Sequence, residues 1–295
     1  MSATSGTERG GAPASSWSPG AAVSIYAPDL FRGRVAVVTG AGTGLGREVA
    51  LSFAHLGADL VVAGRTQSRL EGVADLVGEI GRRCVVVPTN IRDPAGVDNL
   101  RDEAYGQFGR VDFLVNNAGG QFLSPPSKIT DNGWRSVVDL NLNGTWNMVS
   151  RFMGPMAEAG SGSIVNVIHI YSFERGAPMF VHSGAARAGV VNMTKTLAPY
   201  LIDHGVTINA LAPGFFITPG MLESELEPVG RDEERFVDEL REHGTSSRLG
   251  TVDEMAAAVV YLCSPAATYV SGTTMVVDGA ASQSNWPPLF ADGEF

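Results

Sequence analysis

The chain has 295 residues, 44% hydrophobic and 18% charged, with a formal net charge of -10. This length suits one large α/β domain, and the negative balance excludes a general nucleic-acid surface. Cys84 and Cys263 stand in apolar runs with no CxxC spacing, and no run approaches the roughly 18 apolar residues of a membrane span, so no disulfide framework, metal site or membrane segment is expected.

Residues 1–24 are rich in Ser, Gly, Ala and Pro and read as a disordered arm ahead of one domain over 25–295. The arm has no apolar core or basic run, so it does not read as a signal peptide, and a cytoplasmic location is expected. The first strand is predicted at 34–39, from the apolar run Val35-Ala36-Val37-Val38. It leads straight into TGAGTGLG, Thr39 to Gly46, and an amphipathic stretch from Arg47 to His55. Strand, glycine turn and helix in that order predict a dinucleotide site. Gly40, Gly44 and Gly46 let the backbone approach a pyrophosphate, which the helix N-terminus then holds.

Further strands are predicted at 59–63, 84–88, 112–115, 163–168, 206–211 and 274–277, alternating with helices near 44–56, 67–80, 94–108, 131–158, 183–204 and 252–263. That alternation predicts a Rossmann-type doubly wound parallel sheet, with ligands at the carboxyl ends of its strands. The second strand ends Val61-Val62-Ala63-Gly64-Arg65. No carboxylate is placed there to bind the ribose diol of NAD, whereas Arg65, assisted by Arg47, suits a 2′-phosphate; NADPH is the expected cofactor.

Several spaced motifs now resemble the classical short-chain dehydrogenase/reductase family over about residues 30 to 280. They are the glycine turn, Asn116-Asn117-Ala118-Gly119, the pair Asn90-Ile91, Asn141, Pro213-Gly214, Thr218 and Val276-Val277-Asp278-Gly279. The resemblance implies cofactor contacts from Gly40, Thr43, Gly44, Leu45, Gly46, Arg65, Asn90, Ile91, Asn117, Ala118, Gly119, Arg187, Pro213, Gly214, Phe216 and Thr218. It also implies a homo-oligomer pairing the helices at 131–158 and 183–204, and a mobile substrate lid over about 215–245.

The family's usual active site, a Ser and then Tyr-x-x-x-Lys, is altered. That pentad reads Ser183-Gly184-Ala185-Ala186-Arg187, and no serine in Ile168-His169-Ile170-Tyr171-Ser172 stands clearly in register. Serine is a poor proton donor, and arginine keeps its charge and relays no proton. Val181 to Val190, Gly119 to Pro125, Tyr26-Ala27-Pro28 and Asn285-Trp286-Pro287 resemble the branch that reduces unsaturated acyl-CoA, the peroxisomal trans-2-enoyl-CoA reductases and, more loosely, the dienoyl-CoA reductases. The candidate catalytic set is Tyr171 as proton donor, Arg187 holding ribose, Ser183 at the substrate carbonyl, Asn141 anchoring water, and His169 and His182, which on sequence alone titrate near neutral pH. His182 is also readable as a packed helix-start residue fixing Ser183, Ser183 as a helix cap, and Tyr171 as a loop tyrosine packed over the cleft.

Met221 to His243 holds nine acidic and three basic residues, an awkward match for the phosphates of CoA. Phe122, Tyr171, Phe173, Phe180 and Phe216 are candidates for an apolar pocket. Three functions stay open: NADPH-dependent reduction of an enoyl thioester or similar conjugated alkene, carbonyl reduction or alcohol oxidation, and cofactor binding with little catalysis.

Overall fold

The computed structural model describes residues 28–173, 175–227, 230–243 and 248–283. The arm at 1–24, Tyr26-Ala27 and Asn285-Trp286-Pro287 lie outside the described residues, as do parts of the expected lid.

Seven strands form one parallel sheet. They are β1 (Val35–Thr39), β2 (Asp59–Gly64), β3 (Cys84–Pro88), β4 (Phe113–Asn116), β5 (Gly162–Val167), β6 (Val206–Pro213) and β7 (Thr274–Val277). Their order is β3-β2-β1-β4-β5-β6-β7, so the chain reverses direction across the sheet between β1 and β4. That switch point leaves a crevice at the carboxyl edge.

Helices α1 (Gly44–His55), α2 (Gln67–Glu79) and α3 (Pro94–Phe108) connect the first four strands. The next connection holds α4 (Asp131–Val138) and α5 (Gly144–Glu158); α6 (Val181–Ile202) joins β5 to β6. After β6 come a short turn of helix, α7 (Pro219–Met221), then α8 (Glu233–His243) and α9 (Val252–Cys263).

Alternation along β1 shows why both faces need cover. Ala36 and Val38 pack with Leu70, Val73, Met255 and Val259 of α2 and α9, while Val35 and Val37 pack with Leu100, Met148, Phe152 and Leu201 of α3, α5 and α6. Every residue of β1 is buried, as expected for a parallel strand between two helical layers.

The stretch predicted as one helix at 131–158 departs from regularity in the middle. Asp139–Asn143 adopts a π-helical turn between α4 and α5. The wider turn carries Asn141 inward, where its Nδ2 donates to the Val137 carbonyl at 2.9 Å and the Gly120 carbonyl at 2.7 Å. A second polar link positions α6. Asn116 Nδ2 donates to Asn166 Oδ1 at 2.8 Å, Asn166 Nδ2 donates to Thr194 Oγ1 at 3.0 Å, and Thr194 donates to the Val190 carbonyl. This buried chain ties β4 and β5 to α6 and fixes where the start of α6 meets the crevice.

Candidate active site

A cavity of about 560 Å³ runs along the carboxyl edge. Each of the first six strands delivers residues at or just after its end to the wall: Gly40 and Gly42 to Leu45, Gly64 to Thr66, Thr89 to Ile91, Asn117 to Gln121, Ile168 to Tyr171, and Gly214 to Phe216 among them. All but one of the sequence-expected cofactor residues line this wall. Gly46 lies just beneath, packed against the turn, where a Cβ would overlap the Gly40 carbonyl oxygen and crowd Asn117 Nδ2. Asn117 Nδ2 donates to the carbonyls of Thr39 and Gly40 at 3.1 and 3.3 Å. Thr39 Oγ1 in turn accepts the backbone N–H groups of Asn117 and Ala118. The Asn-Asn-Ala-Gly segment therefore clamps the glycine turn from beside it.

At the N-terminus of α1, Thr43 supplies no side-chain cap, and Thr43, Gly44 and Leu45 line the cavity. Such a helix start suits an anion. Beyond the end of β2 the wall holds Arg65, Thr66 and Arg69. Among the described residues the charged side chains of the cavity are Arg65, Arg69, Arg187 and Glu223, so an acidic protein presents a positive cavity. Arg47, expected to help, is exposed on α1 and off the wall; Arg69, one turn into α2, stands there instead. Thr218 caps α7 by accepting the Met221 N–H at 3.1 Å, and its methyl lies beside Gly44.

The other end of the cavity gathers Tyr171, His169, Gln121, Arg187 and Phe180. Arg187 Nη1 donates to the Ile168 carbonyl at 2.9 Å. Arg187 Nη2 and Asn141 Oδ1 converge on Gly119, 2.7 and 2.8 Å from where a side chain would begin. Tyr171 stacks on Phe180 with centroids 5.7 Å apart and meets Phe215 at 6.3 Å.

His169 Nδ1 accepts the Tyr171 backbone N–H at 3.1 Å and lies 3.1 Å from Ser172 Oγ. A backbone amide can only donate, so Nδ1 carries no proton and the neutral ring holds it on Nε2. Nε2 is 3.1 Å from Ser183 Oγ, and Ser183 donates to Gln121 Oε1 at 2.6 Å. His169 thus donates to Ser183 and is no base for it. Burial, with the Arg187 charge adding, holds the His169 pKa well below the usual histidine value.

Three expectations change here. His169 does not titrate near neutral pH, because protonating it would place a second cation beside Arg187 in a buried site. His182 is fully buried off the cavity wall, edge-on to Phe122 at 4.5 Å, and burial lowers its pKa too. Both ring nitrogens of His182 are buried, and the backbone at Phe180 and Phe122 partly offsets the effect of that burial. Ser183 neither caps α6, which begins at Val181 after Phe180, nor reaches the cavity surface; it is fully buried and acts through Gln121 and His169. Of the five aromatics proposed for the pocket, Tyr171, Phe180 and Phe216 line it, whereas Phe122 and Phe173 do not; Phe215 and Phe236 take their places. Gln121 stood in the Gly119 to Pro125 segment that carries the resemblance but was assigned no role, and Arg69 carried no signal beyond its place at the start of α2.

Burial pushes the Cys84 thiol up to about 12 and the Cys263 thiol up as well, which leaves no thiolate at neutral pH. Among the described residues no three His, Cys, Asp or Glu side chains gather as a metal-binding group, and no helix is long and apolar enough to cross a membrane.

Residues 40–281 match the family model described as enoyl-(acyl carrier protein) reductase. A peroxisomal 2,4-dienoyl-CoA reductase of Mus musculus is 35% identical over 259 residues, covering 87% of this chain and 86% of the relative. Among solved structures, a citronellol catabolism dehydrogenase of Pseudomonas aeruginosa superposes with a TM-score of 0.75 at 36% identity, covering 88% of this chain and 99% of that one. A variant actinorhodin polyketide ketoreductase with NADPH gives 0.78 at 28% identity, covering 84% and 97%. The sheet order, the glycine turn clamped by Asn117 and these matches agree: the chain belongs to the short-chain dehydrogenase/reductase family of oxidoreductases, which bind a nicotinamide cofactor.

Proposed function

We propose that this protein uses NADPH to reduce a carbon–carbon double bond conjugated to a thioester or a similar carbonyl. The carrying observation is the position the family fills with tyrosine. There Ser183 is buried, donates to Gln121 and accepts from a neutral His169, with Arg187 in the lysine position. Neutral donors and a fixed cation suit a reaction in which charge gathers on a carbonyl oxygen, to be stabilised there, while carbon receives the proton. Ketone reduction instead calls for an acidic hydroxyl at that oxygen.

The residues present fit the cofactor. The uncapped start of α1 and the Gly40–Gly46 turn suit its pyrophosphate, Arg65 and Arg69 its extra phosphate, and Asn90 and Ile91 its adenine. Arg187 is placed to hold ribose hydroxyls, and Pro213, Gly214, Phe216 and Thr218 to bound the nicotinamide end. When bound, NADPH supplies the hydride. Tyr171, on the cavity wall against Phe180, is the proton donor in this reading, and Asn141 holds the Gly120 backbone in place from the π turn. The segment 215–245 acts as the substrate lid. The dienoyl-CoA reductase relative and the ketoreductase with NADPH support the reaction class and cofactor.

One observation favours a second substrate class. Glu223 is the lid's charged contribution to the wall, and the 221–243 segment is acidic overall, which opposes CoA phosphates and suits a smaller unsaturated or carbonyl compound. Nicotinamide absorbance with NADPH and either crotonyl-CoA or acetoacetyl-CoA separates the readings. Faster oxidation with crotonyl-CoA is expected; turnover of acetoacetyl-CoA alone would overturn the proposal. Tyr171→Phe should lower turnover, and unchanged turnover removes it as donor. Arg65→Ala with Arg69→Ala should cut the preference for NADPH over NADH roughly tenfold or more, read from Kd.

A further inference from the structure

Resting on the reading above, we propose that Phe236 and Leu226 set the length of the acyl group this protein accepts: they form the blind end of the substrate pocket and confine it to short, compact acyl tails.

Four aromatic rings run in contact along this end of the cavity. Phe180 stacks on Tyr171, Tyr171 meets Phe215 at 6.3 Å, and Phe215 meets Phe236 edge-on at 5.6 Å. All four line the cavity. Phe236 therefore stands two ring contacts from the proton donor of the proposed reaction, beside which the reacting double bond has to lie. Leu226 joins Phe236 from the π turn at Leu222–Leu226, whose Glu223 stays exposed. Phe236 and Leu226 touch the cavity yet are only 0% and 1% exposed. A wall residue with almost no surface open to water marks where the space tapers to less than the width of a water molecule. Ile217, Leu222 and Leu249 pack against this pair, so the pocket ends on hydrocarbon.

The two arms of an acyl thioester have opposite needs. The CoA arm carries phosphates and has to lead to water, so the hydrocarbon tail turns the other way, toward the rings. A tail that stops short of Phe236 gains from every methylene it buries. A longer one meets a close-packed ring that must be displaced, and that cost grows with each added carbon. Discrimination by one methylene in an apolar pocket is about tenfold or more, so a fixed end wall yields a sharp cut-off in tail length. Phe236 and Leu226 take no part in the chemical step; they decide which tails bring the double bond to Tyr171.

The test is the kcat/KM of the full-length enzyme with NADPH and a series of trans-2-enoyl-CoA esters: crotonyl, hexenoyl, octenoyl, decenoyl and dodecenoyl. The CoA arm is the same throughout, so only the tail is compared. We expect crotonyl or hexenoyl to be preferred, and decenoyl to fall at least roughly tenfold below the better of them. Phe236→Ala should move the optimum toward decenoyl, lowering kcat/KM for crotonyl-CoA while raising it for the longer esters. Leu226→Ala should move the optimum the same way, should the Phe236 variant fail to fold. A parent enzyme that reduces decenoyl- or dodecenoyl-CoA as well as crotonyl-CoA would overturn the assignment while leaving the reductase reading intact. So would an unchanged order of preference in a folded variant. A parent that reduces no enoyl thioester of any length would overturn both.

Discussion

At His169, burial has chosen a protonation state, and that choice sets the polarity of everything it touches. An exposed histidine has a pKa of about 6.5; this one lies well below, first through burial and then through Arg187. In the unfolded chain the ring takes up its proton at higher pH than in the native fold. Unfolding therefore gains protons as pH falls below about 6.5, and native stability declines until the folded pKa is reached. His169→Asn should flatten this decline, seen as a smaller loss of Tm between about pH 6.5 and pH 5 than in the parent. His182, shifted the same way, keeps its own share. An unchanged slope would mean that the ring is not neutral and buried as described. None of this was legible at the level of the residue string. His169 and His182 sit thirteen positions apart in similar apolar surroundings. Only the fold sends one to the cavity wall and buries the other against Phe122.

Among the elements, β-strands and helices fell where periodicity placed them because the signal is itself physical. A parallel strand covered on both faces must be apolar throughout, and a covering helix must be apolar along one stripe. The π turn at Asp139–Asn143 escaped that reasoning, since one extra residue in a turn barely alters an apolar stripe. Asn141 on that turn bonds both ways with the Gly120 backbone, a long-range contact that no apolar stripe records.

The segment after β6 is a different kind of element. Leu226 and Phe236 are buried in a small cluster of their own with Phe215, Ile217, Met221, Leu222 and Leu249, apart from the two cores on the sheet. Phe236 meets Phe215 edge-on at 5.6 Å and also lines the cavity. A Phe→Ala change in a main core costs about 3–5 kcal/mol. In a satellite cluster the loss should stay local. Phe236→Ala is expected to raise KM severalfold and to speed proteolysis within 215–245, with little change in Tm. A Tm drop of core size would show that this segment folds as one unit with the sheet. Just after this segment, the Arg248 guanidinium meets both oxygens of Glu254, at 2.9 and 2.6 Å, beside the Thr251 capping box. That pairing holds the Glu254 carboxyl below its usual range.

For the whole molecule, we propose the homo-oligomer that the family resemblance implies. Trp134 on α4 and Trp146 on α5 remain 39% and 45% exposed, and Val181 and Tyr200 stand open on α6. Large apolar side chains left open on α4, α5 and α6 are what a pairing of these helices between subunits would cover. We expect light scattering to give a mass at least twice the 31.0 kDa of the chain, and Trp146→Glu to lower it. A parent protein that runs as a monomer at high concentration would contradict the homo-oligomer reading.

Local sequence was enough to determine the parallel sheet, the glycine turn and its family, because each depends on contacts among residues a few positions apart or on a period that burial imposes. It also showed that Ser183 and Arg187 stand where tyrosine and lysine are usual. Tertiary structure alone decided that Ser183 is buried, that His169 donates to it, that Gln121 receives its proton, and that Arg69 rather than Arg47 reaches the cavity. Those outcomes depend on which side chains, dozens of residues apart, share a few ångströms of low-dielectric space. No pattern along the chain encodes that proximity.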